Sequence, residues 1–597
     1  MKDDNFDKKK VLINKFINSG INISPSTLGF IFTLDDPLIK VKTIIKEVSF
    51  LPTFKGHLTL NVLKQISNKE INKALQRALL REEYSQSSQE GDNINPINKT
   101  ILNSSNKMES EEKKKIKQKL TTNLQLIKGS SLSQEKPVIN DSARNGLLIN
   151  KSVKRVKNSN FESTKTTLAF KPSAKEYETS FEILKDPTGK IYTSGSYTDF
   201  YDLTLDKFNR LRNLMKKRPE VLSANNINNI LRLTNKVEIS VIGIVKENRK
   251  TKKGNNLLIL EDVTGLLNIL IRRDSENQDN IKIVEATLND QVVYIEGVYN
   301  PGERGNSGIV YGNYISKIDI PKNFEPNKSY DPLSLALISD IHIGSKEFVE
   351  KLWYRFIDLL NGKIGNKKQR ELAGKIKYII INGDLVDGIG IYPSQKNDLI
   401  FSDIYDQFKE ATKILSKIPD YIKIIYSSGN HEPVRTAIPR PAVPKKYSEE
   451  IRNLGVTCVG NPAYIKTHNV NTLIYHGDSI LDMNMLIPGL ENNKPAEAMK
   501  ELLQCRHLAP VYGKKTQIAP TNKDWLLIDK IPDIFHTGHI HINEMGYYNH
   551  ITLVNSGCFQ SQTDFMKSLG IQPTPGILSI IDLDTLKGTQ LDLKTSV

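Results

Sequence analysis

Apolar residues recur at helical spacing in the first part of the chain. They lie three or four positions apart, which predicts amphipathic helices, at Val11, Leu12 and Phe16, at Leu60, Val62, Leu63 and Ile66, and at Ile71, Leu75, Leu79 and Leu80. Ser24 followed by Pro25 is typical of a helix N-terminus with proline in its first turn. We therefore predict a small helical domain over residues 1–84 and expect it to serve in docking.

This periodicity is lost over residues 85–170, in which Ser, Asn, Lys, Gln and Glu dominate. Such a segment offers too little apolar surface to offset the loss of chain entropy on folding, so we predict a disordered linker. Residues 171–232 predict a connector with one short helix, which begins at a cap formed by Thr204 or Asp206 and ends before Pro219. One face of this helix is apolar and consists of Phe208, Leu211 and Met215.

Alternating apolar and polar positions predict about five short strands over residues 233–322. A long basic turn, residues 246–255, follows the first strand. Five strands with such a turn indicate an all-β OB-fold barrel. The basic residues of the turn either line a groove that follows a nucleic-acid backbone or form a solvated hairpin tip, and both interpretations stay open; they are Lys246, Arg249, Lys250, Lys252 and Lys253.

Residues 330–597 alternate strand-like apolar runs with helical stretches, which predicts an α/β domain. Five of the apolar runs end in a short polar cluster. In open α/β sheets ligands gather beyond the carboxyl ends of strands, so we expect the clusters to meet at one edge. The clusters are Asp340-Ile341-His342, Gly383-Asp384, Gly429-Asn430-His431, His476-Gly477-Asp478 and Gly538-His539-Ile540-His541.

The residue types in these clusters point to a metal site. Asp340 and His342 are two positions apart, as are His539 and His541, so in an extended chain both side chains of a pair would face the same side. All histidines except His57 lie after residue 330. Mixed carboxylate and imidazole ligands suit manganese, zinc or iron better than calcium. Five such clusters in order predict one shared metal centre.

Composition and charge narrow the expected partners. The formal net charge is +16, which suits a polyanion such as nucleic acid. No run of about 18 apolar residues is present, and the chain begins with charged residues, so we expect no membrane span, no secretory signal and a cytoplasmic location. The cysteines are far apart in sequence, which predicts buried thiols rather than disulfides or a zinc ribbon; they are Cys458, Cys505 and Cys558.

Because they contain these five clusters in order, residues 331–565 resemble the calcineurin-like metallophosphoesterases, a superfamily that includes nucleases of double-strand break repair. The resemblance implies two divalent metal ions, Mn²⁺ foremost, with Zn²⁺, Fe²⁺ or Mg²⁺ as alternatives. It assigns Asp340, His342 and His541 to one metal, assigns Asn430, His476 and His539 to the other, and makes Asp384 the bridging ligand. It makes His431 the catalytic residue that protonates the leaving oxygen or steadies the phosphate, and Glu432 stands where the superfamily often has Asp.

Other stretches, residues 336–348, 429–435, 439–442 and 571–576, are similar to the small-subunit family of the archaeal family D DNA polymerases. This second resemblance implies a multidomain protein, in which an α/β four-layer metallophosphoesterase domain is preceded by an all-β OB-fold and a small helical N-terminal domain. It implies a heterodimer with a large catalytic polymerase subunit, contact with DNA, and the sliding clamp as a further candidate partner. It also implies a 3′→5′ exonuclease activity for proofreading. The related eukaryotic B subunits have lost the metal ligands, whereas this chain has the full set.

Two other functions stay open. A scaffold subunit with a vestigial site predicts missing ligands, and a phosphomonoesterase of the same superfamily leaves the barrel and the basic charge unexplained. Arg435 and Arg440 either contact DNA phosphates or belong to a loop that packs against a partner, and Asp478 lies either beside the metals or in a plain turn. Tyr547 and Tyr548 are expected in the core, with base stacking as the alternative. The histidines expected in the core or at the surface are His468, His507, His536 and His550.

Overall fold

The computed structural model describes residues 12, 15–16, 18–19, 21–49, 51, 54, 57–68, 70–76, 170–274, 277–302 and 308–595. The chain forms two compact units, Met1–Thr164 and Lys165–Val597. The linker predicted over residues 85–170 lies outside the described residues, apart from residue 170. In the described part of the chain, no helix has both the length and the apolar character needed to cross a membrane.

The first unit is mainly helical in its described part. Helix α1 (Pro25–Phe32) begins at the predicted cap, where Ser24 Oγ accepts a hydrogen bond from the Thr27 amide at 3.4 Å. Helices α2 (Pro37–Ser49) and α3 (Leu60–Leu63) follow, residues 70–76 are also helical, and strand β1 (Asn22–Ile23) pairs with β2 (His57–Leu58). The helical pattern is confirmed by the buried residues Leu12, Phe16, Leu63, Ile66, Ile71 and Leu75, whereas Val11, Leu79 and Leu80 lie outside the described residues.

The helix predicted in the connector is longer than expected. Helix α4 spans Tyr197–Met215 and is capped by Ser196, so the prediction of a cap at Thr204 or Asp206 was wrong. Ser196 Oγ accepts from the Asp199 amide while the Asp199 carboxylate accepts from the Ser196 amide, and this reciprocal cap starts the helix earlier. The predicted apolar face is confirmed, because it is buried in a core shared with barrel residues; it consists of Phe208, Leu211 and Met215.

Five strands close into a barrel in the order β4-β5-β6-β8-β7. They are β4 (Val237–Lys250), β5 (Asn256–Asp262), β6 (Gly265–Ile271), β7 (Val292–Asn300) and β8 (Ile309–Ser316). The predicted alternation is confirmed, because Val241, Leu258, Ile269 and Ile295 fill the barrel core. Helix α5 (Ile227–Leu231) precedes β4. Helix α6 (Gln278–Glu285), between β6 and β7, was not predicted because it buries only Asn280 and Val284.

The rest of the second unit is built on two six-stranded sheets. The first has the order β12-β11-β10-β9-β18-β19, with β9 to β12 parallel and β18 and β19 antiparallel. Its strands are β9 (Ser334–Ile338), β10 (Ile376–Asn382), β11 (Lys423–Ser427), β12 (Thr457–Val459), β18 (Ile577–Asp582) and β19 (Gly588–Asp592). Strands β9 and β10 are buried along their whole length, as the continuous apolar runs predict.

The second sheet has the order β16-β17-β15-β14-β13-β3, and β14, β15 and β17 run parallel in it. Its strands are β3 (Phe181–Lys185), β13 (Ala463–Thr467), β14 (Val470–Ile474), β15 (Ile534–Thr537), β16 (Glu544–Tyr548) and β17 (Ile551–Asn555). Strand β3 comes from the segment expected as a connector and pairs antiparallel with β13 at the sheet edge. Residues 171–232 therefore contribute both to this sheet and to the core beside the barrel.

The two sheets face each other and helices cover their outer faces. A shared core between the sheets includes Leu337, Tyr378, Ile474 and Val554. The outer face of the first sheet packs on α7 (Glu350–Leu360), α8 (Lys367–Gly374), α9 (Ile404–Leu415) and α10 (Lys445–Asn453). The outer face of the second sheet packs on α11 (Ile480–Leu486), α12 (Pro495–Cys505) and α13 (Asp564–Ser568). The predicted α/β character of this half is confirmed.

Candidate metal centre

The five predicted clusters follow the carboxyl ends of five strands. Strands β9, β10 and β11 of the first sheet, and β14 and β15 of the second, end just before them. The strands are parallel within each sheet and the sheets pack face to face, so the clusters lie at one edge. The structure brings His431 close to the residues that are expected to bind metal. Those residues are Asp340, His342, Asp384, Asn430, His476, His539 and His541.

One group of donor atoms belongs to Asp340, His342 and His541, which are all buried. Their ligand atoms lie within 4.8 Å of one another. The Nε2 atom of His541 is 3.4 Å from Asp340 Oδ1 and 3.1 Å from His342 Nε2. Donor atoms about 2.1 Å from a metal lie roughly 3.0–3.5 Å apart in octahedral or tetrahedral coordination, so the spacing fits one cation.

A second group belongs to Asp384, His476 and His539, again within 4.8 Å. The Nε2 atom of His476 is 3.3 Å from Asp384 Oδ2 and 3.0 Å from Asn430 Oδ1. Asn430 Oδ1 is also 2.9 Å from His539 Nδ1. Asp384 Oδ2 lies 3.9 Å from His342 Nε2 of the first group, so this carboxylate stands between the two groups.

Hydrogen bonds on the far side of the imidazoles determine which nitrogen faces the centre. The Nδ1–H of His342 donates to Asp387 Oδ1 at 2.9 Å, and the Nδ1–H of His476 donates to the Asn382 carbonyl at 2.8 Å. Their Nε2 atoms therefore direct lone pairs at other acceptors, among them Asp384 Oδ2. Acceptor atoms that face one another require a proton or a cation between them, and this donor set fits divalent transition metals.

The pKa shifts of Asp384 and of two histidines agree with this arrangement. Burial by itself would raise the pKa of Asp384, but His476 and His431 hold it well below its ordinary value. Burial would lower the pKa of His476, but the Asp384 carboxylate raises it to about 10. Burial would likewise lower the pKa of His541, yet Cys558 and Asp340 raise it well above its ordinary value. In the metal-free protein, protons on these two imidazoles provide the positive charge that balances the carboxylates.

The backbone at the site is not extended, and the expectation that extended pairs face one side was wrong. Asp340 and His342 have φ values of 52° and 57°, and His539 and His541 have 72° and 60°. The strands end before these motifs, and the left-handed backbone re-aims each side chain. The Ile341 and His342 amides both donate to the Asp384 carbonyl, at 2.8 and 3.0 Å, which holds the turn. Such conformations cost about 1–3 kcal/mol each and cluster at functional sites.

The glycines of the motifs allow the close approach between strand ends. A Cβ on Gly429 would collide with Asp384 Oδ1 and would lie 2.9 Å from His476 Cε1. Gly383 has a φ of 83°, and a Cβ there would lie 2.7 Å from the Gly429 Cα. Only glycine therefore lets these two loops bring Asp384 next to His476.

Glu432 holds the loops after β10 and β11 together. Its buried carboxylate accepts hydrogen bonds from the amides of Asp384, Leu385 and Gly429, at 3.0, 2.8 and 2.6 Å. It also accepts from the Tyr426 hydroxyl at 2.7 Å. Burial, together with the nearby charge of Asp384, raises the pKa of Glu432. The longer Glu side chain is thus fully used as an acceptor at this position.

Asp387 is a site residue that the sequence analysis missed. Its Oδ1 accepts from His342 Nδ1 at 2.9 Å and from Gln560 Nε2 at 3.2 Å, and its Oδ2 accepts from Gln395 Nε2 at 2.9 Å. It therefore orients a predicted metal ligand without lying in a recognised motif. The available signal was a second carboxylate three positions after Asp384 in the same loop.

His431 lies beside the two groups, and one of its two ring nitrogens is engaged in a hydrogen bond. Its Nδ1–H donates to the Asp387 carbonyl at 2.6 Å, and its Nε2 is 3.8 Å from Asp384 Oδ2. Its ring meets the His342 ring edge-on, with centroids 4.6 Å apart. The side chain is partly exposed, so Nε2 points to a position that a substrate can reach.

Arg440 and Asp478 form a buried ion pair at the edge of the site. Arg440 Nη1 donates to Asp478 Oδ2 at 3.0 Å, and Nη2 donates to the Thr436 carbonyl at 2.7 Å. Burial would raise the pKa of Asp478, but Arg440 lowers it to about 2. Arg435 donates from Nη1 to the Ile191 carbonyl and from Nε to the Pro439 carbonyl, both at 2.8 Å. Both arginines thus bond to the protein itself, and Arg440 also lines the cleft described below.

The remaining predicted polar residues lie elsewhere. His507 is buried against Asp524, His536 is buried against Ser556, His468 bonds to Asp331, and His550 is exposed, all as expected. Tyr547 is exposed rather than in the core, because β16 is an edge strand, and Tyr548 donates to Asp319. The three cysteines are buried free thiols. Strand β4 extends to Lys250, so the prediction of a turn over residues 246–255 was wrong for residues 246–250. The basic barrel residues do not line the metal-site cleft; they are Lys246, Arg249, Lys250, Lys252 and Lys253.

A cleft of about 430 Å³ opens over the two groups. Its floor includes His342, Asp384, Asn430 and His431. One part of its wall is polar and contains Lys515, Thr516 and Gln517, and another is apolar and aromatic, formed by Ile391, Tyr392, Phe565, Met566, Leu569 and Ile571. A cleft that is lined by these donor atoms and by apolar and aromatic side chains suits a substrate with one phosphoryl group and an apolar or aromatic portion.

Comparison with known proteins identifies the class. Residues 335–544 match the family of the B subunits of DNA polymerases alpha and epsilon. That range begins at β9 and ends at the start of β16, so it includes all five polar clusters.

Two relatives narrow the class. The chain is 37% identical over 417 residues to the DNA polymerase II small subunit of Methanothermobacter thermautotrophicus, which covers 70% of this chain and 83% of that protein. It is 38% identical over 449 residues to the protein of the same name from Archaeoglobus fulgidus, which covers 73% and 87% respectively. The chain therefore belongs to the family of archaeal DNA polymerase II small subunits, the small subunits of the family D polymerases. The relatives are named as small subunits, which implies a larger partner subunit in those polymerases.

Proposed function

We propose that this small subunit is a metal-dependent 3′→5′ exodeoxyribonuclease that proofreads for the polymerase. The observation that supports it best is a set of seven residues, five of them buried and two, Asn430 and His539, partly buried, whose oxygen and nitrogen ligand atoms face one another. Buried acceptors without donors are costly, at about 1–3 kcal/mol each, so a site of this kind is stable only with cations or protons in it. A scaffold without activity would gain nothing from keeping it.

The donor set divides between two cations. Asp340, His342 and His541 would hold one, Asn430, His476 and His539 would hold the other, and Asp384 would contact both. When bound, two divalent ions, Mn²⁺ foremost with Zn²⁺, Fe²⁺ or Mg²⁺ as alternatives, polarise the phosphoryl group and activate the attacking water. Asp387 and the Asn382 carbonyl keep the His342 and His476 rings aimed inward.

His431 is the group that moves a proton. In hydrolysis the water oxygen bonds to phosphorus, the bond from phosphorus to the 3′ oxygen breaks, and that oxygen takes up a proton. The Nδ1–H of His431 is engaged by the Asp387 carbonyl, so the proton of the imidazolium form that can be delivered is the one on Nε2. Its partly exposed position at the cleft floor allows contact with a leaving oxygen.

The partners follow from the family and the charge. We propose that the barrel is an OB-fold, which its five strands and the order β4-β5-β6-β8-β7 support. The barrel then helps to hold the large subunit, the DNA, or both, and the sliding clamp is a further candidate. The exposed lysines at the turn after β4 and the net charge of +16 favour a polyanion on this surface.

Purified full-length chain with Mn²⁺ and a single strand labelled at either end tests the activity. We expect mononucleotide release from the 3′ end, and a loss on the order of a thousandfold for Asp384→Ala, because several kcal/mol of charge stabilisation disappears. Metal analysis should show two ions in the wild type and fewer in the variant. Asp279→Ala is the matched control, since that exposed carboxylate lies on α6 in the barrel region.

Each failure has a distinct meaning. Absence of mononucleotide release, or equal release by Asp384→Ala, would make the chain a scaffold subunit. Faster turnover of p-nitrophenyl phosphate than of DNA would indicate a phosphomonoesterase. Release that starts at the 5′ end would reject the polarity. Purification from native extract should bring down a large polymerase subunit, and its absence would contradict the proposed heterodimer.

A further inference from the structure

An aromatic pair, Tyr392 and Phe565, lines the cleft. The rings of Tyr392 and Phe565 are nearly parallel, with centroids 5.8 Å apart and an interplanar angle of 9°. Tyr392 is half-buried, whereas 54% of Phe565 is exposed, so Phe565 is the outer ring. Both residues line the same cleft as His431 and the predicted metal ligands. Aromatic side chains that line a cleft together with a few polar groups are a common contact surface for ligands.

The pair is held by the residues that hold the metal centre. Tyr392 lies on the loop after β10, where Gln395 donates to Asp387 Oδ2 at 2.9 Å and accepts from the Ile391 amide at 2.9 Å. The Tyr392 hydroxyl donates to Asp398 Oδ2 at 3.1 Å, which fixes the ring orientation. Because Asp387 also bonds His342, the position of the Tyr392 loop is coupled to a predicted metal ligand.

The segment that carries Phe565 reaches the same carboxylate through Gln560. It lies on α13, which Thr563 caps by accepting from the Met566 amide at 3.2 Å. Shortly before this helix, Gln560 donates to Asp387 Oδ1 at 3.2 Å and to Ser345 Oγ at 2.9 Å. Two loops that meet at one aspartate thus present two stacked rings beside the centre. This arrangement is preorganised, which lowers the entropy lost when a ligand binds.

We propose that the Tyr392–Phe565 pair is a stacking platform for the terminal base of a single strand whose phosphodiester lies at the metal centre. This inference rests on the proposed function and names its substrate subsite. Every base has a π face, so stacking on Phe565 holds any of the four without a sequence preference, as a proofreading site requires. Lys515, exposed on another part of the cleft wall, is a cation available to the neighbouring phosphate.

The test uses full-length protein in the His431→Ala background, so that bound strands survive, with Mn²⁺ and an oligonucleotide that ends in 2-aminopurine. Stacking on Phe565 quenches this base. Phe565→Ala should abolish the quenching and weaken binding roughly tenfold, the order expected for one lost base–aromatic stack. Phe565→Trp should restore both. Tyr330→Ala is the matched control, because Tyr330 is exposed and does not line this cleft.

A second comparison uses the same strand with an abasic terminal nucleotide. Protein with Phe565 should bind the complete strand roughly tenfold better than the abasic one, and Phe565→Ala should not discriminate. Equal discrimination by both proteins, or unchanged quenching in Phe565→Ala, overturns the proposal. Hydrolysis of methyl p-nitrophenyl phosphate by protein with His431 intact reports the metal centre separately. If neither that ester nor DNA is hydrolysed, the proposed nuclease function is wrong. The fluorescence comparison then still tests whether the terminal base stacks on Phe565.

Discussion

The candidate metal centre and the basic end of barrel strand β4 use charged and polar residues in opposite settings. At the centre, Asp340, Asp384 and His476 are buried and face other acceptors across 3–4 Å. On the barrel, Lys250 is exposed and forms an ion pair with Glu285 at 2.7 Å, and Arg249 pairs with Glu247 at 2.9 Å. Exposed pairs of this kind contribute about 0–1 kcal/mol. Buried acceptors that need a proton or a cation between them therefore favour a bound ion at one position, whereas exposed ion pairs fix no ligand position.

The largest effect is expected on the hydrolysis rate, when His431 at the candidate metal centre is replaced. His431→Ala should lower the hydrolysis rate about a hundredfold to ten-thousandfold while both metals stay bound, because His431 supplies a proton and no predicted metal bond. Single-turnover rates and metal content measure the two properties separately. His550→Ala, at an exposed histidine, is the control. Loss of metal from His431→Ala would show that this residue is a ligand.

The pH dependence of metal binding should be the next largest effect. His476, with a pKa of about 10, and His541, also raised, each carry a proton that a metal must displace. Metal affinity at each site should therefore rise up to about tenfold per pH unit between pH 6 and 8. Protonated His476 also stabilises the metal-free protein. This contribution is fully present below the pKa of histidine in the unfolded state, about 6.5, and is lost as the pH rises through the folded-state pKa of about 10.

Calorimetry in buffers of different ionisation enthalpy counts the protons released. We expect about two for two metals. A pH-independent affinity over this range would mean that these imidazoles are already neutral, and the account of charge balance in the metal-free site would be wrong.

The loop connections should show a smaller effect on stability. Glu432→Gln puts an amide NH₂ where an oxygen now accepts from two donors. The free energy of unfolding should fall by about 1–3 kcal/mol, which is the cost of unsatisfied buried donors. Urea denaturation measures it, and Glu247→Gln on the exposed barrel surface should change it by less than about 0.5 kcal/mol. If both variants lower the free energy of unfolding equally, the buried carboxylate of Glu432 contributes no more to stability than a carboxylate on the barrel surface.

The smallest effect is expected on the barrel. Lys252→Ala together with Lys253→Ala should weaken single-strand binding only a few-fold. The salt dependence should also fall, by roughly 0.7 in the log–log slope for each phosphate that the variant no longer neutralises. Fluorescence anisotropy over a salt series tests this. Lys367→Ala, at an exposed position on α8, is the matched control. If the salt slope does not change, the barrel turn is a solvated hairpin tip that does not contact the DNA backbone.

Much of the fold was predictable because its signals are local. Continuous apolar runs predicted β9, β10, β11, β14 and β15, and strict alternation predicted the barrel strands. The misses have local causes as well. Helix α4 begins at a reciprocal Ser196–Asp199 cap that competed with later polar residues, and α6 carries too few buried residues to show a periodic pattern. Edge strand β3 was missed because its role depends on pairing with β13, far along the chain.

The sequence by itself determined which polar clusters meet at the candidate site, because each cluster follows a buried strand and strands end where apolar runs end. Only the tertiary structure decided how they are used. The pairing of Asp340 with His541, the left-handed turns that re-aim both motifs, and the link from Asp387 to His342 depend on two sheets packing face to face. Those contacts join residues that are distant along the chain, so no local pattern can encode their distances.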